Sequence, residues 1–245
     1  IDEGRLKLGS KLGTFIPEYP LGAGITIRQL MKESSGLPDA FYGKVMLDLE
    51  NDKAYKALDD LSRMRLEKKL YYQNCSFART LALLDGLASL YPPGTPDMDG
   101  STSNAIFLAE LIRRISGQSV FEYLHQQVFQ RLGMQSVRAS NQNDAVTSAV
   151  SYAVYRNTQL VRLPLDFSVD SLISLEFADM KKLLEALALR RLFSEKLWQT
   201  ITKLDAYGNG LLFRNVNGYY CASADFLGSS ISFYFNHDNG VAYAS

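Results

Sequence analysis

Apolar residues recur at helical spacing along most of the chain, and alternate at strand spacing only near its end. After a Gly- and Pro-punctuated start up to Pro20, Thr26 is placed to cap a helix through Ile27, Leu30 and Met31. That helix should end near Ser34-Ser35-Gly36-Leu37-Pro38. A charged amphipathic stretch follows from about Asn51 to Lys69, and Ser76 can cap a helix carrying Leu81, Leu84 and Leu87. Asn104 can cap Ala105 to Ile115, with Gly117 as the stop. Ser119 and Glu122 form a capping box ahead of Tyr123, Leu124, Val128 and Phe129, closed by Gly133. Ser174 is read as opening a helix from Glu176 to Leu189, and Ser194 as capping a short one with Trp198.

After Tyr207 the pattern changes. Leu211-Leu212-Phe213, Tyr219-Tyr220-Cys221 and Ile231 to Phe235 are β-rich and separated by Asn/Gly turns. Asp238-Asn239-Gly240 before Val241-Ala242-Tyr243 signals a hairpin, with His237 as a solvated turn residue. Helices followed by an antiparallel meander predict an α+β fold in one domain over residues 1–245. About 21–200 would form a helical lobe, and about 205–245 the C-terminal strands of a sheet.

Composition narrows the classes. Hydrophobic residues make up 47% of the 245, enough for a large core without staples. Lys plus Arg and Asp plus Glu both number 26, so no strong positive field exists to hold nucleic acid. Lys68-Lys69 with Tyr71-Tyr72 is then read as surface. Two cysteines (Cys75, Cys221) and two histidines (His125, His237) make no zinc pattern, and no metal or other cofactor is expected. The cysteines read as free core thiols, with a disulfide between them left open. Asp48, Glu50, Asp52, Asp59 and Asp60 read as a solvated helix face rather than acid/base pairs. No apolar run reaches the ~18 residues of a membrane span. The opening Ile1-Asp2-Glu3-Gly4-Arg5 shows no signal-peptide pattern and reads as the tail of a helix, so upstream sequence is expected.

Several segments, in order, resemble the serine β-lactamase and penicillin-binding-protein family, in its class C, esterase and D-Ala-D-Ala carboxypeptidase branch. Glu3-Gly4-Arg5-Leu6 with Phe15 to Pro20 resembles "EGKL…YLPEFP". Ile25 to Met31, ending in Ser34-Ser35-Gly36-Leu37-Pro38-Asp39, resembles "ITIRHLLTHTSGLPD". Pro93-Gly94-Thr95, Ile115 to Ser119, Arg131 to Met134 and Tyr207 to Gly210 are similar to "PGT", "VSGQS", "PLGM" and "YGYG". The resemblance implies a β-lactamase/transpeptidase-like fold, a hydrolase ancestry and work outside the cytoplasm, at the cell wall or envelope.

The family's chemistry needs three parts. S-x-x-K on a helix puts a serine nucleophile beside a lysine. Y-x-N supplies a proton-transfer phenol and an asparagine for the substrate amide. K-T-G or H-x-G on a sheet strand supplies a polar side chain and an oxyanion-hole N–H. No S-x-x-K occurs in the 245 residues; the nearest pattern is Thr200 to Lys203, read as a solvated helix end. The second motif falls on Thr102-Ser103-Asn104, keeping Asn104 but placing Thr102 where the tyrosine belongs. A threonine hydroxyl has no accessible pKa and is too short to replace a phenol. Asn104 reads equally as a substrate-amide residue and as a helix cap.

Counting back from Leu227-Gly228-Ser229-Ser230, which resembles "PGFSS", puts the third motif on Ala222-Ser223-Ala224. The cation and the glycine are both lost. Asp225 follows at the oxyanion-hole position, where a carboxylate would repel developing negative charge. A "GGL.S" passage survives only as Asp170-Ser171-Leu172 with Ser174.

The expectation is a family-like pseudoenzyme with no confident catalytic residue. Asn104, Ser223 and Asp225 would line a residual cleft for a peptidoglycan-like, β-lactam or ester ligand, or the domain would bind a protein partner. The alternative is the larger part of an active serine hydrolase whose Ser/Lys motif lies upstream of Ile1.

Overall fold

The computed structural model describes residues 4–73, 76–95, 101–139, 152–155, 159–162, 173–226 and 229–244. Short 3-10 turns at Leu12–Thr14 and Pro20–Ala23 lead into α1 (Ile27–Met31). Thr26 caps α1 as the sequence indicates, and Gln29 Oε1 accepts back from Thr26 N–H at 2.7 Å, completing a capping box. A six-residue π-helical turn, Phe41–Met46, runs on into α2 (Leu47–Asn51). The charged stretch is two helices, α3 (Lys53–Ala57) and α4 (Asp60–Gln73). Two of its acids do more than face water. Asp52 accepts from Ala54 N–H and Asp59 from Ser62 N–H, satisfying donors at helix starts. α5 (Phe77–Leu84) has Ser76 as its cap and stops before Leu87.

α6 (Thr102–Ser116) corrects one expectation. Ser101, not Asn104, is the N-cap: its hydroxyl accepts from Ser103 N–H, and Asn104 sits inside the first turn. Both residue types cap well, and here the serine starts the helix sooner. Gly117 ends α6 at φ 73°, in the left-handed conformation. α7 (Val120–Leu124) begins on the Ser119–Glu122 capping box and continues as a π turn, His125–Phe129.

Strands that periodicity did not reveal follow: β1 (Arg138–Ala139), β2 (Tyr152–Tyr155), β3 (Gln159–Arg162) and β4 (Ile173–Ser174). β1 pairs with β4, and β2 with β3, both antiparallel. Ser174 therefore ends a strand, and α8 (Phe177–Ala188) starts after Glu176. Its entry is held by Asp179, which accepts from Ser136 N–H and Oγ–H at 2.7 and 2.6 Å and pairs with Lys182 at 2.7 Å. The Lys182 ammonium, with the Ser136 donors, holds the Asp179 carboxyl well below the usual carboxylate range. α9 (Glu195–Thr202) is capped by Ser194 as expected.

The C-terminal meander is an antiparallel sheet in the order β5 (Arg214–Val216), β6 (Tyr219–Phe226), β7 (Ser229–Asn236) and β8 (Val241–Ala244). Leu211-Leu212-Phe213 is not its first strand. Leu211 N–H bonds Ile201 O and Gly210 N–H bonds Phe213 O, which turns Leu211 into the core and delays the strand to Arg214. In the sheet Tyr220, Phe235 and Ala242 share one face by register, and that face packs with Trp198, Ile201 and Leu187 of α8 and α9.

A second core joins Leu12, Ile16, Ile25, Ile27 and Leu30 to Leu84 of α5 and Phe107 and Leu111 of α6. Buried Glu110 fastens α6 to the opening coil. It binds Arg113 and Arg114, and Arg114 reaches Phe15 O and Glu18. The Arg113 guanidinium, more than that of Arg114, holds the Glu110 carboxyl below its ordinary value. Cys221 on β6 is a free, half-buried thiol; Cys75 lies outside the described residues.

His237 is not a solvated turn residue. Its Nδ1 lies 3.1 Å from Ala188 O at the end of α8, and its ring packs against Trp198, Tyr220 and Phe235. Nε2 is buried and finds no partner among the described residues. Burial lowers its pKa below the ordinary 6.5; Arg190 adds to this, while Ala188 O, Asp238 and Glu195 oppose it. The unfolded chain therefore binds the extra proton more readily. Stability from this site is full above the ordinary value and is lost as pH falls through it toward the lowered folded value. Thermal melts should show the wild type losing more stability below about pH 6.5 than His237→Phe. Parallel curves for the two would contradict this reading.

Candidate functional site

Thr102, Ser103 and Asn104, read from sequence as the second motif, sit at the N-terminal turn of α6, and residues 34–39 fold against them. Asp39 is the junction. Its Oδ1 accepts from Phe41 N–H and Tyr42 N–H at 3.0 and 2.9 Å. Its Oδ2 accepts from Thr102 N–H at 3.0 Å and Thr102 Oγ1–H at 2.6 Å. Four donors use the roughly four lone-pair sites of a carboxylate. Asp39 thus ties the first turns of two helices together and keeps little capacity for a ligand. Thr102 is exposed, but its hydroxyl hydrogen is given to Asp39. What Thr102 can still offer is acceptor capacity.

The next two residues lock the same junction from inside. Ser103 Oγ donates to Pro38 O at 2.8 Å and accepts from Ala40 N–H at 3.2 Å. Asn104, 2% exposed, accepts from Ser35 Oγ–H on Oδ1 at 2.5 Å and donates through Nδ2 to Ser101 O at 3.1 Å. Ser35 Oγ in turn accepts from Leu37 N–H. The asparagine's amide is engaged by the fold on both its oxygen and its nitrogen.

Residues 90–94 lie along the other side of this segment. Leu90 N–H bonds Gly36 O at 2.9 Å and Gly94 N–H bonds Ser34 O at 2.7 Å, while Tyr91 Oη–H reaches Glu33 O. Gly36, at φ 74°, is pressed against Tyr91 O, and Gly94, at φ 95°, sits on the Gln29 side chain that closes the α1 cap. The Ser34 to Asp39 and Pro93 to Thr95 passages are therefore one structural unit with the start of α6.

The structure brings Thr102 and Asn104 together and ties both to Ser35 and Asp39. Ser223 and Asp225 lie on another element, β6, opposite Ser232 and Ser230 of β7. Ser223 is exposed. Ala222-Ser223-Ala224 fall inside a regular strand, and Leu227-Gly228 lie outside the described residues, as do Asp170-Ser171-Leu172. Sequence reasoning quoted Ser35 and Asp39 without giving them a role. For Asp39 a signal existed: an aspartate two residues before an apolar run accepts the run's first N–H groups. Among the described residues no group of three or more His, Cys, Asp or Glu could hold a metal ion.

A helical lobe with a C-terminal antiparallel meander makes an α+β fold of the β-lactamase/transpeptidase type. Solved structures share it. A penicillin-binding protein from Bacillus halodurans superposes with a TM-score of 0.74 at 20% identity, over 99% of this chain and 74% of that one. A D-stereospecific amidohydrolase from Streptomyces sp. gives 0.73 at 17%, over 99% and 74%. A D-amino acid amidase from Ochrobactrum anthropi SV3, complexed with L-phenylalanine amide, gives 0.73 at 15%, over 99% and 69%. At these identities the likeness is one of fold. No curated protein matches the chain in sequence. The family model described as Beta-lactamase matches residues 1–222, and the chain belongs to the β-lactamase family.

Proposed function

We propose that this chain is a β-lactamase-family domain that binds an amide-bearing ligand without hydrolysing it. The observation that carries this reading is the state of Thr102. It stands where the family places a phenol, and its one hydroxyl hydrogen is committed to Asp39 at 2.6 Å. A hydroxyl held this way can accept from a ligand N–H but cannot shuttle protons as a phenol does. Two further features support it. Asn104 spends its amide on Ser35 and Ser101. By the sequence resemblance, Ala222 and Ala224 stand in place of the cation and the glycine of the third motif, and Asp225 follows them. The amide preference follows the relatives of like fold, described as amidase, amidohydrolase and penicillin-binding protein. Ser223, exposed on β6, would offer its hydroxyl from the sheet side.

The test is intact-mass measurement on the protein from its native source, before and after incubation with a penicillin and with a fluorophosphonate. No adduct is expected from either reagent. A stoichiometric acyl or phosphonyl adduct would mean an active serine hydrolase and would overturn the proposal.

A further inference from the structure

We propose that Asn239-Gly240, in the turn between β7 and β8, is a self-modification site where the folded protein converts asparagine to aspartate and isoaspartate. The chain holds three Asn-Gly pairs: Asn209-Gly210, Asn217-Gly218 and Asn239-Gly240. A glycine after asparagine leaves its own amide nitrogen uncrowded, because it carries no Cβ. That nitrogen can attack the carboxamide of the asparagine before it. The fold disarms two of the pairs and arms the third.

Gly210 N–H is given to Phe213 O at 2.7 Å, and a carbon added on Gly210 Cα would stand 2.5 Å from Ile201 O. Gly218 N–H is given to Asn215 Oδ1 at 3.2 Å. In both pairs the attacking nitrogen must first give up a hydrogen bond. Gly240 N–H has no such partner among the described residues, and Asn239 and Gly240 are both exposed. The Asn239 side chain is set for the attack. Its Oδ1 accepts from Val241 N–H at 3.0 Å. An asparagine oxygen bonded to the N–H two residues on folds the carboxamide back along its own backbone. That brings Cγ toward the Gly240 nitrogen. The same Val241 N–H faces the oxygen on which negative charge develops, as an oxyanion-hole donor does.

The step balances without any oxidant or cofactor. The Gly240 nitrogen bonds to Asn239 Cγ and passes its proton, through water, to Nδ2. The Cγ–Nδ2 bond breaks and ammonia leaves, giving a five-membered succinimide. Water then opens the ring at either carbonyl, to aspartate or to isoaspartate. Either product adds a carboxylate beside Asp238, in a chain whose 26 basic and 26 acidic residues otherwise balance. Isoaspartate also lengthens the turn by a backbone carbon.

The test is peptide mapping by mass spectrometry of the full chain after timed incubation in warm neutral buffer, folded and in urea, with isoaspartate distinguished by fragmentation. Folded protein should convert Asn239 about tenfold faster than Asn209 or Asn217, the ratio that one broken hydrogen bond sets. In urea the three rates should converge. Asn215→Ala frees Gly218 N–H and should speed conversion at Asn217, with an unchanged melting temperature as the check on folding. Three results overturn the proposal: Asn239 no faster than the other two in folded protein, the same ranking and ratios in urea, or an unchanged Asn217 rate in folded Asn215→Ala. The comparison of folded and unfolded wild type decides the matter even where that variant does not fold.

Discussion

Gly36→Ala is expected to destabilise the protein by about 3 kcal/mol. Two costs combine. Gly36 has φ 74°, where a Cβ meets its own backbone and costs about 1–2 kcal/mol. The added carbon would also stand 2.1 Å from Tyr91 O, far inside contact distance. That oxygen belongs to the backbone, so one of the two segments must move. Movement breaks the Leu90 N–H to Gly36 O bond and strains the Gly94 N–H to Ser34 O bond beside it. Because Ser35 and Asp39 share this segment, the grip on Asn104 and Thr102 loosens too. Urea denaturation reads the effect as a lowered midpoint at unchanged slope. A midpoint equal to wild type would mean that residues 34–38 and 90–94 do not meet as described. Amide binding should weaken in the same variant, since the acceptor geometry at Thr102 depends on the intact junction.

Trp198→Ala should cost about 3–5 kcal/mol, the usual range for deleting a buried indole. Trp198 is 1% exposed and lies between Phe193, Phe235 and His237, with ring centroids 5.1, 6.4 and 5.0 Å away. With Ile201 it is the part of α9 on which the sheet face rests, so its loss opens a cavity between helix and sheet. Trp198→Phe separates volume from hydrogen bonding. The indole Nε1–H has no partner among the described residues, so the phenyl ring forfeits packing but no hydrogen bond. The Phe variant should therefore lose less than half of what the Ala variant loses. Equal losses would point to a polar partner for the indole. Thermal unfolding followed by tryptophan-independent circular dichroism measures both variants.

The parts of this structure that were legible in the sequence are those decided within a few residues. Thr26, Ser76, Ser119 and Ser194 each announce a helix start because a cap needs only the next turn of backbone. The same local logic misplaced the start of α6, since Ser101 and Asn104 offer similar chemistry three residues apart. Leu211 to Phe213 has β-type residues, yet tertiary bonds to Ile201 turn it inward. His237 looked solvated because its neighbours Asp238, Asn239 and Gly240 are turn residues. Its burial comes from α8 and α9, elements distant in sequence.

The candidate site was half legible. Thr102 and Asn104 stand two positions apart, so the sequence already placed them on one turn. Asp39 and Thr102 are 63 positions apart, and Ser35 and Asn104 are 69 apart. No local pattern joins them, so the commitment of the Thr102 hydroxyl and the Asn104 amide could emerge only from the fold.

The meander also sets how the molecule can assemble. Each pairing in the β5–β8 sheet joins strands adjacent in sequence, across turns as short as Asn217-Gly218. Closing short loops costs little chain entropy, so this hairpin series can form before distant segments have found each other. The β1–β4 pair is the opposite case: Ala139 must find Ile173 across a long intervening stretch. The strand bearing Ser223 thus belongs to the locally paired part of the molecule, and the Asp39–Thr102 junction to the part closed across 63 positions. A destabilised variant should surrender that junction first, while the sheet still shields its amides from exchange.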